Sequence, residues 1–274
     1  MIHTIEDPHD SRITPFIAVR EKDLVGRQGL CIAEGEVVLR LLVSRPDHRI
    51  LSLLLSRASA ARLESLLAGL DPAIPLYVAD QPVMDAIVGF HIHRGILALV
   101  EPRAAPAADT LLSRLPARAV VAGLVGLTNH DNVGGIFRNA AAFGIDAVLL
   151  DGGCCDPLYR KAIRVSVGAS LIVPYARLSS GADMAQRLVD HGFDVVCLSP
   201  SGTIPLHRLE RRARVGALFG AEGPGLPDDL LARLRGVAIP MAPGFDSLNV
   251  ATASGIVLHH LVYQHPVMEE DFDL

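Results

Sequence analysis

From residue 119 onward, short runs of wholly apolar residues alternate with helix-length stretches, and few folds accept that alternation. Residues 119–126 (AVVAGLVG), 147–150 and 215–219 read as strands without a polar face, and 194–198 as a strand that is apolar after Asp194. A strand that is apolar on both sides must be covered on both sides. The pattern therefore predicts an α/β fold with a mostly parallel sheet and helices on each face. Helices are expected over 133–143, 182–191 and 228–234, a strand over 171–175, and a segment that starts helical over 161–170. In the helix from 133, Ile136, Ala140 and Phe143 make the inward stripe, which leaves Arg138 off it as a solvated cation. Asn132, just ahead of that helix, is an N-cap candidate.

The first third is a separate, smaller α/β pattern. Strands are expected over 29–33, 49–55, 74–79 and 95–100, after an arm of about fifteen residues. Helices are expected over 36–44 (Val37, Val38, Leu41 and Leu42 inward), over 59–70 with Gly69 as its cap, and over 81–88 capped by Asp80. Residues 101–116 (EPRAAPAADTLLSRLP) are rich in Pro and Ala and read as a linker with one helical turn. The expected domains are 1–103, a linker at 104–117, and 118–274.

The C-terminal stretch 239–265 (IPMAPGFDSLNVATASGIVLHHLVYQH) breaks at Pro243-Gly244 and restarts at Asp246-Ser247, a helix N-cap signal. Ala251, Ala253, Ser254 and Gly255 in its first half let another backbone or a ligand approach closely, at a cost in helix propensity. Its apolar residues spread around the circumference, so the helix must be buried on most faces.

Charge is less informative. The net charge is −5, and Glu269, Glu270, Asp271 and Asp273 in the tail account for most of it. The body is nearly neutral, which neither supports nor excludes a polyanionic partner. Lysine occurs only at 22 and 161. The four cysteines, Cys31, Cys154, Cys155 and Cys197, fit neither a zinc ribbon nor a disulfide framework and read as thiols in a reducing compartment. The pairs His91/His93 and His259/His260 lack a metal-site spacing, so no metal is expected. Without a membrane-length apolar run or a signal-peptide core, the chain is expected in the cytoplasm.

Three ordered clusters narrow the function. They are Asn132-x-Gly134 followed by Arg138; Gly220-x-Glu222-Gly223; and Ile239-Pro240-Met241 followed by Ser247-Leu248-Asn249-Val250. Together they resemble the motifs of the SpoU branch of the SPOUT methyltransferases, over about residues 118–265. The resemblance implies S-adenosyl-L-methionine as cofactor, a C-terminal trefoil knot, RNA as partner, a homodimer through the C-terminal domain, and methyl transfer to a ribose 2′-hydroxyl, with rRNA favoured over tRNA. It implies catalytic roles for Arg138, Asn132, Glu222, Ser247 and Asn249, and cofactor contacts for Gly220, Ile239, Leu248, Leu218 and Met241. The spacing of Ile32 to Gly35 and of His93 to Ala98 is similar to the RNA-binding domain that precedes the catalytic domain in many SpoU enzymes. Arg94, Lys161 and Arg164 are the corresponding candidate RNA contacts, the last two expected beside the motif loops. One departure is Ala251-Thr252-Ala253, where relatives often carry Ser-Val-Ala. The alternative is a non-catalytic RNA-binding or ribosome-assembly protein that keeps the fold.

Methyl transfer from a sulfonium to a hydroxyl is an in-line displacement, so positioning supplies much of the acceleration. Arginine is too weak an acid to serve unaided as base. Phosphate clamping with electrostatic activation is the favoured role for Arg138.

Overall fold

The structure, a computed structural model, describes residues 2–17, 24 and 28–263. The acidic tail and the last two residues of the expected C-terminal helix lie outside the described residues. Two compact units are present: Met1–Ala104 with Asp156–Leu171, and Ala105–Cys155 with Ile172–Leu274.

The first unit is built on a five-stranded sheet in the order β1-β4-β3-β5-β2. The strands are β1 (Ile2–Ile5), β2 (Cys31–Glu34), β3 (Arg49–Ser56), β4 (Leu76–Ala79) and β5 (Ile96–Glu101). The expected arm is not loose. Ile2–Ile5 pairs in parallel with β4, and a 3-10 turn at Ser11–Phe16 buries Ile13 and Phe16. Four residues held by backbone hydrogen bonds leave almost no pattern in a sequence. The helices are α1 (Glu36–Val43), α2 (Arg57–Arg62), α3 (Glu64–Ala68) and α4 (Gln81–Val88); α2 and α3 divide at Leu63 what reads as one helix. In α1 the buried residues are Val38, Leu39 and Leu42, while Val37 is exposed and Leu41 only half-buried. The run EVVLRLLV is apolar nearly all round, so periodicity could not select its inward face. Asp80 precedes α4 without capping it through its side chain; its carboxylate pairs with Arg57 at 2.5 Å.

Residues 156–171 belong to this unit. They carry α7 (Arg160–Val165), which buries Ala162 and Ile163 and packs on β2, and most of α8 (Ala169–Ile172). α5 and α6 lie earlier in the chain, at Ala108–Ser113 and His130–Ala142. Buried His48 ties the excursion down. Its Nδ1 accepts from the Arg103 amide at 3.2 Å, so Nε2 carries the proton and donates to Leu171 O at 2.7 Å. The expected strand at 171–175 is displaced, because α8 runs through Ile172 and β8 begins only at Tyr175.

The second unit holds a seven-stranded sheet in the order β10-β12-β9-β11-β6-β7-β8, and each neighbouring pair is parallel. Its strands are β6 (Ala119–Val125), β7 (Ala147–Leu150), β8 (Tyr175–Arg177), β9 (Asp194–Leu198), β10 (Ile204–Pro205), β11 (Arg214–Gly220) and β12 (Arg235–Ala238). Every residue of β6 is buried, as a strand covered on both faces requires. Val121 and Val125 pack with Leu111 and Leu112 of α5, Met184 and Leu188 of α9 (Gly181–Asp190) and Leu230 of α10 (Asp228–Arg233). Helix α6 and the C-terminal helix α11 (Val250–Tyr263) pack against each other and against β6, β7 and β11. No disulfide joins the four cysteines, and burial pushes the thiols of Cys31 and Cys154 up to about 12.

The small residues of α11 are explained by its contact with α6. A Cβ placed on Gly135 would stand 2.7 Å from the Cβ of Ala251, and one on Gly255 would meet the Asn139 amide at 3.3 Å. Asn139 Nδ2 donates to Ala251 O at 2.7 Å and to Ser254 Oγ at 2.9 Å across the seam. Ala251 therefore faces the helix seam, where a larger side chain would hold the helices apart. Gly135→Val should destabilise the protein by about 1–3 kcal/mol through overpacking. Thermal unfolding checks this, and Ala251→Gly in the same chain should recover part of the loss.

Candidate functional site

Strands β12, β9 and β11 are neighbours, and their carboxyl ends open on a cavity of about 400 Å³. Its walls are Leu198–Pro200 after β9, Phe219–Gly223 and Gly225 after β11, Ile239 and Met241 after β12, and Ser247–Val250 leading into α11. Parallel sheets bind ligands at this end, where loops leave the strands and backbone groups are unpaired.

Each wall has a local cause. The β11 loop folds tightly back on itself: the Gly225 amide donates to Ala221 O at 2.9 Å, with Gly223 and Gly225 at positive φ. A Cβ on Gly220 would then lie 2.3 Å from the backbone of Gly225 and Leu226, so only glycine fits there. The N-terminus of α11 is capped by Asn249, which its residue type allowed alongside a site role, and not by the Asp246-Ser247 signal. Asn249 Oδ1 accepts from the Ala251 amide at 2.9 Å and from the Thr252 amide at 3.3 Å.

That capping bond fixes which way the Asn249 amide points. With Oδ1 committed to two N–H donors, Nδ2 faces outward and donates to Asn132 Oδ1 and to Glu222 Oε1, both at 2.9 Å. Asn132 is buried as the third residue of α6. The N-cap there is Asn129, whose side chain accepts from the Asp131 amide, so the capping role considered for Asn132 is corrected. One amide thus joins the three segments that carry the sequence clusters.

The remaining candidates divide. Gly220, Ile239, Met241, Leu248, Glu222, Ser247 and Asn249 all line the cavity. Leu218 does not: its fully buried side chain lies in the core against Gly123 with Met184, because alternate strand residues face opposite sides. Phe219 lines the cavity in its place. Arg138 is exposed on α6 two turns beyond Asn132 and has no hydrogen-bond or ion-pair partner among the described residues. Lys161 and Arg164 lie on α7 and, like Arg94, belong to the first unit, whereas the motif loops belong to the second. Ser166, a hydroxyl the sequence places beside Lys161 and Arg164, is buried and donates to Ile163 O at 3.0 Å, so it is a packing residue. The sequence reading missed Leu198–Pro200; a Ser-Pro breaking an apolar run was the available signal.

The lining has a definite chemistry. It is mostly apolar side chains and loop backbone, its one ionisable side chain is Glu222, and no Lys, Arg or His contributes. A polyphosphate chain would find no counter-charge here. A ligand with a flat apolar body, hydrogen-bonding edges and a positive centre fits.

Residues 119–259 match the model of the SpoU rRNA Methylase family. The chain is also 38% identical over 269 residues to a protein of Mycobacterium bovis described as an uncharacterized tRNA/rRNA methyltransferase, covering 94% of this chain and 91% of that one. This chain belongs to the SpoU family. It is an RNA methyltransferase of that family, and the matched region contains the cavity and the Asn249 contacts. Among solved structures, an AdoMet-bound rRNA methyltransferase from Sinorhizobium meliloti has a TM-score of 0.78 at 21% identity, covering 95% of this chain and 97% of that one. A structure described as an RNA 2′-O ribose methyltransferase has a TM-score of 0.79 at 23% identity, covering 96% and 99%. The SpoU methyltransferase AviRb from Streptomyces viridochromogenes, in complex with AdoMet, has a TM-score of 0.76 at 23% identity, covering 93% and 98%. These likenesses establish a shared fold.

The two roles of Asn249 are separable. Asn249→Ala should lose about 0.5–2 kcal/mol as an N-cap deletion, while Asn249→Ser, which restores a capping oxygen, should lose much less. Urea unfolding of both variants measures this; equal losses would show that the cap contributes little.

Proposed function

We propose that this SpoU-family protein transfers a methyl group from S-adenosyl-L-methionine to a ribose 2′-hydroxyl of RNA, with rRNA favoured over tRNA. The observation that carries the reading is the cavity itself. It lies at the carboxyl ends of three parallel strands, has no cationic side chain, and is tied by Asn249 to the helix bearing Arg138. These residues suit the donor: backbone edges of the β11 and β12 loops for the adenine, apolar Leu248 and Ile239 beside it, and Glu222 for its positive charge.

Bound there, S-adenosyl-L-methionine would supply an electrophilic methyl group on a sulfonium. The chain's own task is to present the acceptor. Arg138, exposed and uncommitted among the described residues, holds the phosphate next to the target ribose, and its charge favours the hydroxyl losing its proton to solvent water as the oxygen takes the methyl group. Asn132 and Asn249 keep α6 and α11 in register, so the positions of Arg138 and of the donor's walls depend on each other. Glu222 is held by Asn249, and Ser247 offers a hydroxyl on the same wall.

The same reading includes the knotted path, the dimer and the cytoplasmic location. The return of the chain from β12 to α11, which packs centrally against α6, β6 and β11, supports the knot. Apolar surface left on α11 supports the dimer: Ile256 and Tyr263 stay exposed, with the rings of Phe143 and His259 against Tyr263. Among the described residues no helix is long and apolar enough to cross a membrane, in keeping with a cytoplasmic place.

Labelled S-adenosyl-L-methionine incubated with total RNA should deliver label into 2′-O-methyl nucleotides, and a folded protein that binds donor but labels no RNA would point to a non-catalytic RNA-binding role instead. Arg138→Ala should abolish transfer while calorimetry finds donor affinity within about two- to threefold of the parent, as for a group that acts on the acceptor. Light scattering at micromolar concentration should give twice the 29.2 kDa chain mass; a stable, active monomer would refute the dimer.

A further inference from the structure

The first unit carries a cationic and aromatic corner that the methyl-transfer cavity does not use. The Arg160 guanidinium lies over the Phe90 ring, 4.7 Å from its centroid, and Phe90 remains partly exposed. One turn further along α7, Arg164 Nη1 stands 3.7 Å from Glu34 Oε1. Glu34 is buried, and its Oε2 has no hydrogen-bond partner among the described residues. The next residue, Gly35, seats the Arg94 side chain: at φ +101°, a Cβ there would meet Arg94 Nη1 at 3.1 Å. Arg94 and Arg164 therefore converge on the Glu34-Gly35 corner, and Arg160 and Phe90 form the step beside it.

This combination has a specific chemistry. A guanidinium stacked on a phenyl ring makes a flat cationic platform, and a nucleobase with both faces free stacks on such a surface. Bases in an RNA duplex are already stacked and cannot reach it. Among the described residues Arg164 has one long contact, to Glu34, and keeps most of its five donors for an anion. Residues four apart on a helix lie about 6 Å apart along its axis, so the platform and the Arg164 site are close enough to be spanned by one nucleotide.

We propose that this corner holds one unpaired nucleotide of the RNA substrate, its base stacked on Arg160–Phe90 and its phosphate between Arg94 and Arg164. Glu34 is a positioning residue that aims Arg164. The proposal rests on the RNA methyltransferase reading and names the form of RNA that the first unit selects: a loop or single strand rather than a duplex.

The test is fluorescence anisotropy of the full-length protein with a labelled 12-nucleotide single-stranded RNA and with the blunt duplex of the same sequence, over a range of salt concentrations. Phe90→Ala should weaken single-strand binding roughly 10- to 100-fold, without changing the slope of log affinity against log salt and without changing duplex binding. Phe90→Tyr should restore it. Arg94→Gln and Arg164→Gln should each reduce the salt slope by about 0.7, as loss of one phosphate contact requires. Glu34→Gln should reduce the slope in the same sense, while Glu34→Asp should retain most of it. Unchanged single-strand affinity in Phe90→Ala, or equal weakening for strand and duplex, would overturn the platform; unchanged slopes in both arginine variants would overturn the clamp. Wild-type methyl transfer, measured alongside, keeps the two readings apart: transfer that persists while Phe90→Ala binds normally removes only this proposal, whereas a wild type that methylates no RNA removes the reading beneath it.

Discussion

One side-chain amide holds the catalytic unit's working parts together. Asn249 spends its oxygen on the first turn of α11 and its nitrogen on Asn132 and Glu222. Because capping decides the orientation of the amide, the contact to α6 and to the β11 loop follows from the start of a helix. A terminus that would otherwise leave amide donors unsatisfied is thereby turned into the joint of a binding site. Removing the joint would free the β11 loop and α6 to move independently, although each remains folded on the same sheet.

The joint works only because α6 and α11 come close. Gly135 faces Ala251, Asn139 lies over Gly255, and no larger pair fits that seam. Residues that weaken a helix in isolation thus serve a contact that local propensity does not register. Arg138 rides on the outer face of the same helix, so its placement is set by the same seam. Positioning of this kind suits a displacement reaction, in which alignment supplies much of the rate.

The first unit follows a different logic. One of its strands is the four-residue Ile2–Ile5, and the unit recruits residues 156–171 from between β7 and β8. His48 bonds that segment at Leu171 and the first unit's exit at Arg103, so one buried ring secures two points of the chain's passage. Lys161 and Arg164 arrive by this excursion.

Several features were legible from residues alone. Strands with no polar face require cover on both sides, which already implied a parallel sheet, and such sheets expose loop backbone at their carboxyl ends, which placed Gly220 and Ile239 there; Glu222 and Asn249 joined them only through the resemblance to the SpoU motifs. Four other features needed the folded chain. Asp246, Ser247 and Asn249 are all chemically able to cap α11, and which one does so depends on where the preceding loop lies. Leu218 and Phe219 are adjacent apolar residues, and only the sheet's packing decides which faces core and which faces cavity. α1 is apolar on nearly every side, so its inward face is chosen by its neighbours. Residues 156–171 sit between two strands of one sheet in sequence but pack on another. In each case the local preferences are nearly degenerate, and long-range packing, which no short window of sequence contains, breaks the tie.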